Sequence, residues 1–273
     1  MKVFRKLNNS AAICSNGFSN SIIVIGKGIT FGKKEGDEID KSRIDKIYTS
    51  SNKETIDLIQ KIPDEYFEMS MVIIRYAERK LDQTLTDDAY FVISDHIKGI
   101  MYRYKHNIQM PFGFMQEAEL FYRNEYRVAA WILDYLDAAL NVELPEDEIG
   151  FLTIDVVNLI GNNNGMEKLK LIMEVARLVE NEVNNAFTNL DKQSFSYKRF
   201  KTHLQYYGFR FVSNKEYIDQ NISFDFDEDF INSTKELINN INKKLNEKYG
   251  HSMDKVEQKY LLLHLQRLIY SNC

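Results

Sequence analysis

The chain has 273 residues, 44% of them hydrophobic and 27% charged, with a formal net charge of −5. That balance belongs to a globular protein long enough for two or three domains, and three prolines and sixteen tyrosines exclude a low-complexity chain. No apolar run approaches the roughly eighteen residues of a membrane span, and no basic segment followed by an apolar one opens the chain, so a cytoplasmic protein without membrane insertion is expected. Its only cysteines, Cys14 and Cys273, are too few for a disulfide framework or a zinc site, which suits a reducing compartment.

In chain order, residues 3–7, 11–14, 21–25 and 29–31 read as short strands, with Asn8-Asn9-Ser10 and Ser15-Asn16-Gly17 as turns between them. Asn16-Gly17 is the strongest hairpin signal in the chain. Ile22-Ile23-Val24-Ile25 describes a strand buried on at least one face, and Gly26 and Gly28 admit positive φ or a close backbone approach. Phe31 follows, with Lys27, Lys33 and Lys34 around it. An aromatic platform among ammonium groups suits a single-stranded or irregular RNA segment, whose bases seek aromatic faces and whose phosphates seek cations; a plain hairpin with solvated lysines uses the same residues. Residues 1–46 hold nine lysines and arginines against five carboxylates, a local charge of +4 that leaves −9 for the remainder. Charge beyond about 8 Å is largely screened, so overall acidity does not exclude a polyanion site. A sheet this small buries little surface alone, and pairing of two copies into a homodimer is expected.

From Ser42 to Pro63 the pattern shifts, with Ile56, Leu58, Ile59 and Ile62 marking a helical linker. Beyond residue 66 the chain reads as helical. Met69, Val72, Ile73, Tyr76 and Ala77 form one apolar stripe, and Val128, Trp131, Ile132 and Tyr135 another; both are read as core. The helical part also repeats. Glu148, Phe151, Leu152, Ile154, Asp155, Val156, Leu159 and Ile160 match Glu257, Tyr260, Leu261, Leu263, His264, Leu265, Leu268 and Ile269 at a constant offset of 109. At offset 107, Ile93, His96, Ile97 and Ile100 lie over Phe200, His203, Leu204 and Tyr207. Two tandem helical domains are expected, at 66–172 and 173–273, after an N-terminal domain at 1–55. The second helix of each copy carries cap signals, Pro145 at the first helical position and Ser252 ahead of Asp254.

A lone histidine on an apolar face is usually core, but histidines at equivalent places in a duplicated domain suggest a paired role. His96 and Asp155 offer no third ligand, so no metal centre and no cofactor are expected. Phosphoryl transfer is the other reading, since neutral imidazole is a good nucleophile near pH 7. His106 and His251 fall outside the repeat and are assigned to the surface.

Residues 1–46 resemble the RNA-binding co-antiterminator domain of the BglG/SacY/LicT-type transcriptional antiterminators through Leu7-Asn8-Asn9, the run from Ile25 to Phe31, Lys33-Lys34, Gly36-Asp37 and Ile44-Asp45-Lys46-Ile47. The helical part is similar to that family's two phosphotransferase-system regulation domains through Thr86-Asp87, Asp95-His96-Ile97, the run from Leu144 to Phe151, Val157-Asn158, the run from Tyr197 to Leu204, and the run from Tyr260 to Leu265. The resemblance spans the chain in order. It implies an α+β multidomain protein: a small antiparallel sheet that dimerises and binds RNA, followed by two all-α bundles. It implies a regulator, not an enzyme, that stabilises a hairpin in nascent mRNA, prevents an overlapping terminator and admits transcription into sugar-utilisation genes. It implies RNA contacts from Arg5, Asn8, Asn9, Ser10, Gly26, Lys27, Gly28, Phe31 and Lys33. It also implies phosphorylation by the phosphocarrier protein HPr at His203 and His264, which activates, and phosphorylation promoted by the sugar permease, enzyme II, at His96, which inhibits.

Three residues depart from the family pattern. Ser10 stands where a third asparagine is common, Lys27 where arginine is common, and Asp155 at the position of the first domain's second histidine. Aspartate forms no phosphoramidate but holds a negative charge, so Asp155 is expected either to imitate a phosphorylated residue or to leave His96 as that domain's only switch. Two alternatives stay open: a phosphorylation-responsive dimer acting through protein partners, and a DNA-binding activator, for which the first 60 residues offer no helix-turn-helix. No phosphate loop or nucleophile elbow points to an enzyme.

Overall fold

In the computed structural model, which describes residues 1–15, 21–48, 61–161, 164–214 and 226–270, the first 48 residues form a four-stranded antiparallel sheet in the order β1-β2-β3-β4. The strands are β1 (Lys2–Lys6), β2 (Ala11–Ser15), β3 (Ser21–Ile25) and β4 (Lys46–Tyr48). The period of two sorts the β-branched residues cleanly. Ala11, Ile13, Ile23 and Ile25 point to one face and join the core of the first helical bundle, while Ala12, Cys14, Ile22 and Val24 point to the other and pack with Val3, Ile29 and Ile39. Both faces hold buried residues, yet Ile47, paired with Val24 on the second face, stays 43% exposed, and Phe4 of β1 64% exposed. Burial of the Cys14 thiol pushes its pKa up to about 11. The Asn16-Gly17 turn, the proposed linker residues Ile56, Leu58 and Ile59, and Cys273 lie outside the described residues.

Residues 29–31 are a turn, not the expected strand. Ile29 N–H donates to the Gly26 carbonyl (3.0 Å), Phe31 N–H to Gly28 (3.1 Å) and Lys33 N–H to Thr30 (3.0 Å), with Gly28 at φ +58° and Gly32 at φ +70°. This winding sends Ile29 inward and leaves Phe31 75% exposed. No local pattern predicts β4; its three residues gain strand geometry by pairing with β3, Val24 opposite Ile47.

Among the described residues the helices are α1 (Asp64–Leu81), α2 (Ala89–Lys105), α3 (Met115–Phe121), α4 (Arg123–Leu140), α5 (Asp147–Leu159), α6 (Gly165–Ala186), α7 (Phe195–Val212), α8 (Glu228–Tyr249) and α9 (Lys255–Tyr270). Contacts divide the chain into two units, Met1–Gly165 and Met166–Cys273. In the first, the buried stripe of α1 runs through Phe67, Ser70, Met71, Ile74 and Ala77, and the expected core residues Met69, Val72 and Tyr76 sit at its half-buried edge. There Tyr76 stacks on Trp131 with ring centroids 3.5 Å apart, and Trp131 stacks in turn on Tyr135 at 5.4 Å. In the second, Phe200, Leu204, Ile241, Leu261 and Leu265 form a separate core. Its α7 comes close enough to α6 that a Cβ at Gly208 would lie 2.4 Å from the Ile172 carbonyl oxygen. The cap of α9 is Asp254 rather than Ser252: its Oδ1 accepts from the N–H groups of Val256 and Glu257, both at 2.7 Å. Pro145 stands just ahead of α5, accepting from Glu148 N–H at 3.0 Å.

Candidate functional site

On the sheet module, the turn at 26–31 and the bend at 8–10 are tied together. Gly26 N–H donates to the Ser10 carbonyl (2.9 Å), Gly28 N–H to Ser10 Oγ (3.0 Å), Thr30 N–H to the Asn9 carbonyl (3.1 Å), and Thr30 Oγ1 to the Asn8 carbonyl (2.5 Å). The nine residues expected at RNA therefore separate by location. Asn8, Ser10 and Gly26 are buried, and Asn9, Gly28 and Lys33 are half-buried. Arg5, Lys27 and Phe31 are exposed. Asn8 Oδ1 accepts from Ser10 N–H at 2.9 Å, the side-chain-to-backbone turn typical of asparagine. Gly26 is explained by packing, because a Cβ there would lie 2.0 Å from the Arg43 carbonyl oxygen.

A cleft of about 490 Å³ opens beside this turn, lined by Lys27, Gly28, Phe31, Arg43, Glu68 and Arg75 among others. Arg43 holds the Lys27 carbonyl at 3.0 Å, and Arg75 pairs with Asp45. Neither arginine is marked in the sequence: Arg43 is one charge among nine, and Arg75 lies on α1, where no local pattern ties it to the sheet.

In the first unit α2 and α5 bring His96 against two carboxylates. Its Nδ1 contacts Asp155 and its Nε2 lies 3.5 Å from Glu148 Oε2. Glu148, 4% exposed, is also gripped by the Arg103 fork, with Nε at 3.0 Å and Nη2 at 2.8 and 2.7 Å. Burial alone drives an imidazole towards its neutral form, but the Asp155 and Glu148 hydrogen bonds and charges outweigh it and raise the His96 pKa to about 9. Burial likewise works to raise the Glu148 pKa, and its bonds to His96 and Arg103 bring it below the usual carboxylate value.

In the second unit α7 and α9 stack His203 on His264, ring centroids 4.6 Å apart and 28° from parallel. Tyr260 lies 5.9 Å from His203, and Phe200 lies 6.4 Å from His264. Burial, then repulsion by His264 and Arg210, brings the His203 pKa down to about 3. Burial, then Arg267 and Arg199, brings that of His264 to about 4. Arg210 pairs with Glu257 as Arg103 does with Glu148, Nη2 to Oε2 at 3.0 Å. The sequence contained this signal: offset 107 carries Arg103 onto Arg210, and offset 109 carries Glu148 onto Glu257. Two neutral imidazoles are nucleophilic at pH 7, whereas an imidazolium has no lone pair to offer. His106 and His251 lie on the surface, as expected. No helix among the described residues is long and apolar enough to cross a membrane.

The CAT RNA binding domain model matches residues 1–57, and the PRD domain model matches residues 71–158 and 173–268. The chain is 28% identical over 278 residues to transcription antiterminator LicT of Bacillus subtilis (strain 168), covering 98% of this chain and 99% of that protein. It is 26% identical over 279 residues to a beta-glucoside operon antiterminator of Dickeya chrysanthemi, covering 98% and 96%. It is 30% identical over 236 residues to protein GlcT of Staphylococcus aureus (strain JH9), covering 79% and 78%. Among solved structures, the GlcT CAT-PRDI crystal structure aligns with a TM-score of 0.54 and 27% identity, over 59% of this chain and 98% of that one.

Proposed function

Because this chain belongs to the BglG/LicT-type antiterminator family, a CAT RNA binding domain followed by two PRD domains, we propose that it is an RNA-binding transcription antiterminator under phosphotransferase control. The CAT module binds a hairpin in nascent mRNA upstream of sugar-utilisation genes and prevents the overlapping terminator from forming. The observation that carries the reading is Phe31, 75% exposed on a hydrogen-bonded turn beside Lys27 and Gly28. An aromatic held in water at that exposure is a stacking platform for an unpaired base, and the neighbouring lysines meet its phosphates.

His203 and His264 are the activating phosphate acceptors, with HPr as donor. His96, which the resemblance makes the inhibitory acceptor, meets carboxylates at both ring nitrogens. We assign it the role of a fixed cation, with Asp155 in place of a phosphorylated partner, so that the first PRD domain is set rather than switched. The active form is a homodimer.

The test is a gel-shift titration of the full chain and its Phe31→Ala variant against hairpin RNAs from leaders of sugar-transport genes, at two salt concentrations. Loss of stacking costs about 1–3 kcal/mol, or roughly 5- to 150-fold in affinity. Salt-sensitive, hairpin-selective binding weakened in the variant is the expected result. Absence of binding to every hairpin, by the full chain and by its Asp64→Ala/Glu68→Ala variant alike, would sink the reading and leave a phosphorylation-responsive regulator acting through protein partners.

A further inference from the structure

Asp64 and Glu68 lie four residues apart on α1, so their carboxylates project from one face of the helix. That face meets the residues assigned to RNA. Asn9 Nδ2 donates to Asp64 Oδ2 at 2.6 Å, and Asn9 N–H donates to Asp64 Oδ1 at 3.4 Å. Ser10 Oγ donates to Glu68 Oε1 at 3.2 Å while accepting from Gly28 N–H at 3.0 Å. A hydroxyl has one proton to give, and here Glu68 holds it. Lys6 Nζ donates to Asn9 Oδ1 at 2.7 Å, so both ends of that amide are engaged.

Other contacts brace the arrangement. Arg75 of α1 pairs with Asp45, and Lys46 Nζ lies 2.5 Å from Asp87 Oδ1. Tyr48 OH donates to the Asp87 carbonyl, and the sheet face of Ile13, Ile23 and Ile25 shares a core with Phe67 and Phe91. Glu68 also lines the cleft shared with Lys27, Gly28 and Phe31, placing negative charge where an incoming phosphate must pass. One donor stays unspent. Asn8 Nδ2 is buried with no partner among the described residues, a group that a base edge would satisfy.

We propose that α1 is an intramolecular occupant of the RNA-facing surface: Asp64 and Glu68 take the donors of Asn9 and Ser10 that RNA acceptors need, so helix and hairpin RNA exclude each other. The proposal rests on the CAT module reading RNA through these residues. RNA then binds only the fraction of molecules in which α1 has withdrawn, and its apparent affinity falls in proportion to that fraction.

The test compares three full-length proteins in hairpin RNA titration: wild type, Asp64→Ala/Glu68→Ala, and Glu65→Ala, which removes a charge from the same turn at an exposed position. Losing two charge-assisted hydrogen bonds is expected to tighten RNA binding by about tenfold or more, with Glu65→Ala within about twofold of wild type. Equal effects of the double and the control variant would reduce the result to general charge and overturn the proposal. Binding by none of the three would remove the RNA reading itself, and this inference with it. Carboxyl labelling of the wild type with a carbodiimide gives a readout independent of any variant's folding. Adding hairpin RNA should raise labelling of Asp64 and Glu68 as α1 withdraws from Asn9 and Ser10, and labelling there unchanged at saturating RNA would overturn the proposal.

Discussion

In the first unit, buried His96 faces Asp155 and Glu148 and is raised to about 9; in the second, buried His203 and His264 face each other and are lowered to about 3 and 4. The frames agree, each with an Arg–Glu pair below the site, and burial pushes all three imidazoles the same way. One exchange, aspartate for histidine at 155/264, accompanies the opposite outcome. Burial supplies the sensitivity of such a site, and the nearest side chain sets its sign.

That contrast breaks most plainly in phosphate uptake. With phosphorylated HPr as donor, His203→Ala/His264→Ala should lose on the order of 10²-fold or more in the rate of phosphohistidine formation, while His96→Ala should leave it near wild type. Label retained by the double variant and lost in His96→Ala would reverse the assignment. Next in size are the two Arg–Glu pairs. Arg210→Met leaves Glu257 buried without that partner and should cost about 3–5 kcal/mol in denaturant unfolding; Arg103→Met should cost less, because the His96 imidazolium still faces Glu148.

Asp155→His sharpens the comparison directly. Imidazole titration by NMR should find the His96 pKa fallen from about 9 to 6.5 or below, a change worth about 3 kcal/mol of proton affinity; a value still near 9 would show that Glu148 alone sets it. The sign for stability follows from linkage. A raised His96 pKa stabilises the fold fully below pH 6.5, and that contribution is lost as pH rises through about 9. The lowered pKa values of His203 and His264 stabilise it above pH 6.5, and theirs is lost as pH falls from 6.5 through about 4 and 3. Acid should therefore weaken the second unit first, and mild alkali the first.

The smallest effect concerns glycines. A Cβ at Gly150 would meet the Phe112 ring at 2.2 Å, and one at Gly208 the Ile172 backbone oxygen at 2.4 Å. A ring can swing aside more readily than a helix backbone can shift, so within the roughly 1–3 kcal/mol typical of overpacking, Gly208→Ala should be the costlier in thermal melts.

What the sequence revealed follows the reach of each interaction. β2, β3 and the helices themselves are local periodicities and are legible, although the buried line of α1 is rotated from the predicted stripe and leaves Met69, Val72 and Tyr76 half-buried. Ile29 and Thr30 are β-branched and locally favour a strand at 29–31; the bonds of Thr30 to Asn8 and Asn9, some twenty residues earlier, make it a turn. Phe31 and Lys27 could be singled out from composition and spacing. The engagement of Asn9 by Asp64 could not, because 55 residues separate them and neither looks unusual in its own segment. The Arg103–Glu148 pair is legible in the repeat, which carries both residues onto Arg210 and Glu257.

The Tyr76–Trp131–Tyr135 stack has a practical consequence. Trp131 is the chain's single tryptophan and lies in the first unit. Emission excited at the red edge of the absorption band therefore reports on that unit alone, while far-ultraviolet dichroism sums the helices of both. Recorded on one sample, the two signals separate the melting of the halves without a label, and any gap between their midpoints measures how far each half unfolds on its own.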